Sequence, residues 1–197
     1  MLYLTFKAEL SPTIKTVCLN NPKQQDYSIS KIKCLSCHDS DSSKSHLVGP
    51  LDSQQDENGF EFNFIMKCKF CANKMTLNFN VINEPLINYK YEHNDDDSDF
   101  VEKMKAEKSA SRKKKGLDKV LPYGNKEDVA IFLGIDARGC VVEEIAYNQD
   151  NNGLDITVAG DSVIDNVNLE DMELYDFDQE NDAELSITEV SWELIKK

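Results

Sequence analysis

A chain of 197 residues with 40% hydrophobic content has enough apolar matter for a modest core, in one domain or two small ones. Its net charge of −14 repels phosphate backbones and anionic lipid, which excludes nucleic-acid and membrane roles unless a strong basic patch overcomes the mean field. No stretch approaches the roughly 18 consecutive apolar residues of a membrane-spanning helix, and the opening residues Met1 to Phe6 alternate instead of forming a signal-peptide core.

From the N-terminus, Leu2, Leu4, Phe6, Ala8 and Leu10 fall on one side and Tyr3, Thr5, Lys7 and Glu9 on the other, the period-2 pattern of a half-buried strand. Ser11-Pro12 ends it, and Asn20-Asn21-Pro22 is a turn cluster. Residues 27–33 alternate again, imperfectly, and lead to Cys34. A polar stretch from His38 to Gly59, rich in Asp and Ser, reads as an exposed excursion. Phe60, Phe62, Phe64 and Met66 then alternate into Cys68, and Leu77, Phe79 and Val81 alternate out of Cys71, which predicts a β-hairpin with two cysteines in its turn.

The cysteines carry the chemistry. Lys33-Cys34-Leu35-Ser36-Cys37 and Lys67-Cys68-Lys69-Phe70-Cys71 are two Cys-x-x-Cys pairs separated by 30 residues. A thiolate pair at this spacing grips one side of a Zn²⁺ ion from a tight turn, and a second pair completes the tetrahedral shell that zinc prefers. The competing reading is disulfide or thiol redox chemistry. Four thiolates close the shell and leave no position for water or substrate, so the expected metal is structural, one Zn²⁺ per chain. Thiolates that hold a metal suit a reducing compartment, which places the chain in the cytoplasm, with the nucleus as the alternative.

Residues 89–126 differ in kind. Glu92, Asp95, Asp96, Asp97 and Asp99 give way to Lys103, Lys105, Lys108, Arg112, Lys113, Lys114 and Lys115, with few large apolar residues. This composition predicts a disordered insertion or linker with a transient helix over residues 100–108. Beyond it, β character returns at residues 129–135, 141–146, 154–158 and 185–195, with Gly134, Gly139, Gly153 and Gly160 as punctuation. The apolar phase slips between Ile187 and Val190, which predicts a bulge. No residue between Arg138 and Lys196 is basic.

The short N-terminal strand, the two cysteine pairs in this order, Arg138-Gly139 after a β run, and the closing stretch from Asn168-Leu169 through Tyr175-Asp176-Phe177-Asp178 to Ile187-Thr188-Glu189-Val190 together resemble the CXXC motif containing zinc binding proteins, a eukaryotic family of uncharacterised function. The resemblance covers most of the chain outside the insertion. It implies an all-β protein of two similar lobes, with Zn²⁺ held by Cys34, Cys37, Cys68 and Cys71 in the first, and no established enzymatic activity. The chain departs from the family pattern at Leu174, where a tryptophan is expected nearby, at Phe177, where a tyrosine is expected, and in its long charged insertion.

Other residues have simpler readings. His38 follows Cys37 but faces a shell that is already full; His46 and His93 lie in polar surroundings without a partner that sequence can name. Cys18 and Cys140 stand alone and read as idle or buried thiols, and Trp192 as core. Arg112 to Lys115 reads as a solvated charge run more readily than as a nuclear signal, and residues 149–153 as a turn more readily than as a cation loop. Zinc-containing methionine sulfoxide reductases also join two Cys-x-x-Cys pairs to a β-fold, but they need a reactive cysteine in an Arg-x-Cys-x-Asn context. Arg138-Gly139-Cys140-Val141-Val142 fails that pattern.

The expectation is therefore an all-β fold of two similar sandwich- or barrel-like lobes: residues 1–88 with a zinc-ribbon-like site of four cysteines, 89–126 a charged insertion, and 127–197 an acidic lobe. The expected function is non-enzymatic, a zinc-stabilised monomer acting through contacts with a protein partner, for which another metalloprotein is one candidate. The alternative is a metal-handling or thiol-redox protein. Neither nucleic acid nor membrane is expected as a partner.

Overall fold

The computed structural model describes residues 1–91, 99–120, 128–147, 153–169, 171–179 and 182–196; His93 and most of the turn expected at 149–153 lie outside them. The strands run in chain order as β1 (Leu2–Leu10), β2 (Ile14–Leu19), β3 (Tyr27–Cys34), β4 (Ser40–Asp41), β5 (His46–Val48), β6 (Gln54–Gln55), β7 (Glu61–Phe62), β8 (Phe64–Lys67), β9 (Lys74–Val81) and β10 (Leu86–Ile87). A helix, α1 (Phe100–Lys115), precedes β11 (Ala130–Arg138), β12 (Cys140–Tyr147), β13 (Leu154–Val158), β14 (Val163–Val167), β15 (Leu174–Asp178) and β16 (Ala183–Lys196). The all-β class is as expected. No helix among the described residues is long and apolar enough to cross a membrane.

β1 sets the architecture. Its Leu4 and Phe6 are wholly buried, and burial of each such side chain contributes roughly 1.5–3 kcal/mol. The opposite face is not left to solvent: Tyr3 is also buried, against Leu117 and Ile131. The strand is thus covered on both faces, by the main core cluster on one side and by Leu117 and Ile131 on the other, while its edges pair with β16 and β11 inside a six-stranded sheet ordered β15-β16-β1-β11-β9-β8. Phe6 stacks on Phe132 of β11 at 5.2 Å and meets Trp192 of β16 at 4.7 Å, which puts Trp192 against the core as read from sequence. The slip in the last strand is a bulge, where the register between β1 and β16 shifts between Lys7 and Glu9 and Glu189 takes a φ of 51°.

The sheets do not follow the expected lobe boundaries. In the six-stranded sheet, β1, β8 and β9 from before residue 89 interleave with β11, β15 and β16 from after residue 126. A second sheet, β10-β2-β13-β14, and a third, β12-β3-β4 with β5 on β3, mix the two halves in the same way. One core cluster runs from Leu4 and Val17 through Ile29 and Leu77 to Ile156 and Ile187. The physical reason is edge closure: half-sheets built separately would each expose unpaired backbone, and pairing across the halves satisfies it.

Within the charged insertion, residues 100–115 form α1, longer than the transient helix anticipated. Its C-terminus is closed by Gly116 in the left-handed region (φ 66°), with Leu117 N–H reaching the Arg112 carbonyl at 2.8 Å and the Leu117 side chain buried. Apolar burial does little to hold this helix. Instead Arg112 donates to both oxygens of Glu84, the shortest contact being 2.7 Å, and Lys108 pairs with Asp128 at 2.5 Å, all four side chains being buried. Burial lowers the Lys108 pKa, and the charge of Asp128 opposes that shift.

Candidate metal centre

The two cysteine pairs end on two turns of the same build. Cys34 closes β3; its N–H donates to Asp39 O at 2.8 Å, while His38 N–H donates back to Cys34 O at 3.0 Å. Cys68 follows β8; its N–H donates to Asn73 O at 2.9 Å, while Ala72 N–H donates back to Cys68 O at 3.0 Å. The fifth residue of each turn takes the left-handed conformation, His38 with φ 61° and Ala72 with φ 56°. His38 therefore serves the turn. Its side chain is exposed and stands outside the sulfur cluster.

These turns bring the Sγ atoms of Cys34, Cys37, Cys68 and Cys71 within 4.8 Å of one another. Cys34 and Cys71 are 3.6 Å apart, and Cys37 and Cys68 are 3.5 Å apart, far longer than a disulfide bond of about 2.05 Å. Four sulfurs at about 2.3 Å from a tetrahedral zinc would stand roughly 3.8 Å apart, so this donor set fits the ion in number, chemistry and spacing. Cys34 and Cys68 are buried, whereas Cys37 and Cys71 face solvent.

The polar surroundings hold the site's inner side. Ser36 N–H points at Cys34 Sγ from 3.4 Å, and Asn73 Nδ2 lies 3.6 Å from it while donating to Gly139 O at 3.0 Å. Backbone N–H groups, chiefly that of Cys37, draw the Cys34 thiol down to about 6. At Cys37 the N–H of Asp39 also lowers the value, but partial loss of hydration at the sulfur and contacts with the neighbouring thiols outweigh it and push the thiol up to about 12, although the residue faces solvent. Crowded thiols thus shed a first proton easily and later ones reluctantly, and a divalent cation offsets the penalty on the later ones.

Gly139 makes the corner possible. It links β11 of the six-stranded sheet to β12 of the third sheet, and its carbonyl also accepts Leu35 N–H at 3.0 Å. Its φ is 72°, and a Cβ there would lie 2.3 Å from Lys74 O, so only glycine fits. Because Cys34 ends β3 in one sheet and Cys68 follows β8 in another, the cysteine cluster stands where two sheets meet at this corner. Sequence reading missed the role of Asn73, although it holds the same place after its cysteine pair as Asp39 does after the first.

The remaining expectations can be placed. The lysines around the cluster are offset by carboxylates: Lys67 by Glu57 at 3.2 Å, Lys69 by Asp41 at 2.8 Å, Lys74 by Asp56 at 2.6 Å, and Lys33 more distantly by Glu143 at 3.9 Å. The polar stretch between the pairs is ordered, with β4 and β5 returning to β3. Cys140 lies opposite Cys34 in register, and burial first and the Cys34 charge second raise its pKa to about 11. Cys18 is likewise raised to about 11, by burial and Asp155. His46 packs on Phe64 with centroids 5.0 Å apart. Leu35 and Phe70, at the tips of the two turns, are 52% and 77% exposed.

Comparison with known proteins agrees with this geometry. The sequence profile of the eukaryotic CXXC motif containing zinc binding proteins matches residues 3–195. The UPF0587 protein YCR090C of Saccharomyces cerevisiae is 31% identical over 196 residues, covering 99% of this chain and 98% of the yeast protein. Two solved structures share the fold. The crystal structure of C1orf123 superposes with a TM-score of 0.64 at 18% identity, covering 100% of this chain and 99% of that one. A hypothetical protein from Plasmodium falciparum gives 0.61 at 15% identity, covering 98% and 97%. With the cysteine cluster assembled and the profile matched across nearly its whole length, the chain belongs to the eukaryotic family of CXXC motif containing zinc binding proteins.

Proposed function

We propose that Cys34, Cys37, Cys68 and Cys71 hold one structural Zn²⁺ per chain, and that the protein is a non-enzymatic, monomeric cytoplasmic module that works by contacting another protein. The observation that carries this reading is the closed donor set: four sulfurs within 4.8 Å at a corner between two sheets. A tetrahedral shell of four thiolates offers no Lewis-acid position. The two cysteines outside the cluster have pKa values raised to about 11, so at neutral pH they are thiols and weak nucleophiles. The paired lysines around the cluster, within a chain of net charge −14, favour a protein partner over nucleic acid.

One observation favours a metal-handling variant: Cys37 and Cys71 face solvent, so an incoming thiolate could reach the ion from that side. Two measurements test these readings. Native mass spectrometry should find one zinc per chain in the parent protein and none in Cys34→Ser. In cells, partner crosslinking should survive Cys18→Ser and Cys140→Ser; its loss in either variant would replace the interaction reading with thiol chemistry.

A further inference from the structure

The six-stranded sheet has two ends, and they are finished differently. At one end, β8 is capped by the β6–β7 hairpin, where Gln54 Oε1 accepts the Ile65 N–H at 3.0 Å. At the other end, β15 pairs only with β16 among the described residues. Its five residues pair one-to-one, Leu174 with Ile187 through Asp178 with Ala183, without a bulge. Edge strands in natural proteins are usually blunted by charged side chains, proline or a bulge; β15 has neither proline nor bulge, and its charges are the two carboxylates Asp176 and Asp178, which deter an acidic strand but not a cationic one. The edge strand β14 shows the contrast: its register with β13 is broken, and Asn166 inside it is left-handed at φ 55°.

β15 also presents an apolar, acidic face. Tyr175 and Phe177 alternate on one side and are 71% and 49% exposed. They line a groove of about 770 Å³ with Ser11, Pro12, Glu184 and Ser186. Asp176 and Glu184 lie in the groove wall, Glu173 precedes the strand, and no Lys or Arg occurs between Arg138 and Lys196. The charge of the nearby Glu173, together with a hydrogen bond to that carboxylate, raises the pKa of the Tyr175 phenol. Phe177 N–H donates to Asp176 Oδ1 at 2.8 Å, a contact within the strand that an incoming carbonyl can replace.

We propose that the outer edge of β15 receives an extended, lysine- or arginine-bearing segment of the partner protein as an added strand, with Tyr175 and Phe177 packing on its basic side chains. Strand addition supplies backbone hydrogen bonds, the aromatic pair supplies cation–π and stem contacts, and the acidic field selects a cationic partner. This proposal rests on the interaction-module reading above, and names its surface and partner chemistry.

The test uses the full zinc-loaded chain and a fluorescent, end-blocked octapeptide of alternating Lys and Val. Saturable binding should weaken at least tenfold in the Tyr175→Ser/Phe177→Ser variant, whose zinc content and circular dichroism should match the parent. It should weaken about threefold or more when NaCl rises from about 50 to 300 mM. N-methylation of every Val or of every Lys should abolish binding in one version only, because one edge of the peptide pairs with β15. Equal binding of both N-methylated versions, or by the double variant, would overturn strand addition in favour of charge alone. Absence of peptide binding would also overturn it, as would a homodimer lost in the double variant, which would place a second copy at this edge. Photo-crosslinking in cells from position 70 against position 177 then separates the two readings. Adducts from position 70 alone would contradict the β15 assignment and keep the interaction module; adducts from neither would remove both.

Discussion

Two regions of this molecule fasten polar segments to the sheets, and they do so with opposite chemistry. The cysteine corner gathers four groups that repel one another once ionised, and the proposed zinc is the cation that would reconcile them. The α1 clamp uses side chains that neutralise one another, Arg112 with Glu84 and Lys108 with Asp128. On the proposed reading the first depends on an added ion and should fail with chelation or acid. The second is complete within the chain, but each half depends on the other, since removing one partner strands a buried charge. A metal site is thus a conditional fastener and a buried ion pair an unconditional one.

Loss of a metal ligand should give the largest effect. Cys68→Ser removes a buried ligand, and structural zinc in small sites contributes apparent free energies of about 10–16 kcal/mol, comparable to the whole stability of a domain. The variant should lack zinc by native mass spectrometry and lose cooperative thermal unfolding. Arg112→Ala comes next. It leaves the Glu84 carboxylate, which also receives the Ile131 N–H at 3.3 Å, buried without its cation, at a cost of about 3–5 kcal/mol. Denaturant titration should show that loss, hydrogen exchange should show α1 released, and zinc content should be unchanged. Zinc lost together with the helix would mean that the two fasteners are coupled.

Gly139→Ala sharpens the comparison at the corner itself. With φ at 72° and a Cβ 2.3 Å from Lys74 O, the backbone must move, at a cost of about 1–3 kcal/mol or more. Because Gly139 O ties Leu35 and Asn73 to both turns, zinc should leave at lower chelator concentration. The smallest effect concerns acid. Hydrogen bonds from Lys69 to Asp41 and from Lys74 to Asp56 hold both carboxyl groups below their usual range. A depressed carboxyl pKa contributes stability above the unfolded value of about 4, and that contribution is lost as pH falls below it. Asp56→Asn should reproduce the loss at neutral pH as faster proteolysis within residues 50–62, with zinc retained; unchanged proteolysis would remove Asp56 from the account.

The comparison also explains what was legible in the sequence. Two Cys-x-x-Cys pairs have a fixed spacing because a tight turn must aim two sulfurs at one point, so the clustering of Cys34, Cys37, Cys68 and Cys71 could be read directly. The strands β1, β8 and β9 could be read because their large apolar residues recur at every second position, although in β1 both faces are buried. Ion pairs impose no spacing: Glu84 lies 28 residues from Arg112, and Asp128 lies 20 from Lys108, so a helix held mainly by them looked like a solvated charge run. Strand pairing was equally silent. Nothing local in Leu2–Leu10 announces that its neighbours are β11 and β16, and the lobe boundaries drawn at a composition shift could not show that the sheets cross it. Gly139 stood out in the family resemblance, but its reason, the Lys74 carbonyl against its Cα, exists only in three dimensions.

The claim that the cysteine corner is a zinc fastener between sheets is tested most directly by titrating the freshly purified chain with a strong chelator. Zinc release and far-UV circular dichroism would be followed in the same sample. The account predicts one equivalent of zinc per chain, released in step with loss of β-structure. Zinc that leaves while the β-signal persists would contradict it and make the solvent-facing pair, Cys37 and Cys71, the mouth of an exchange site.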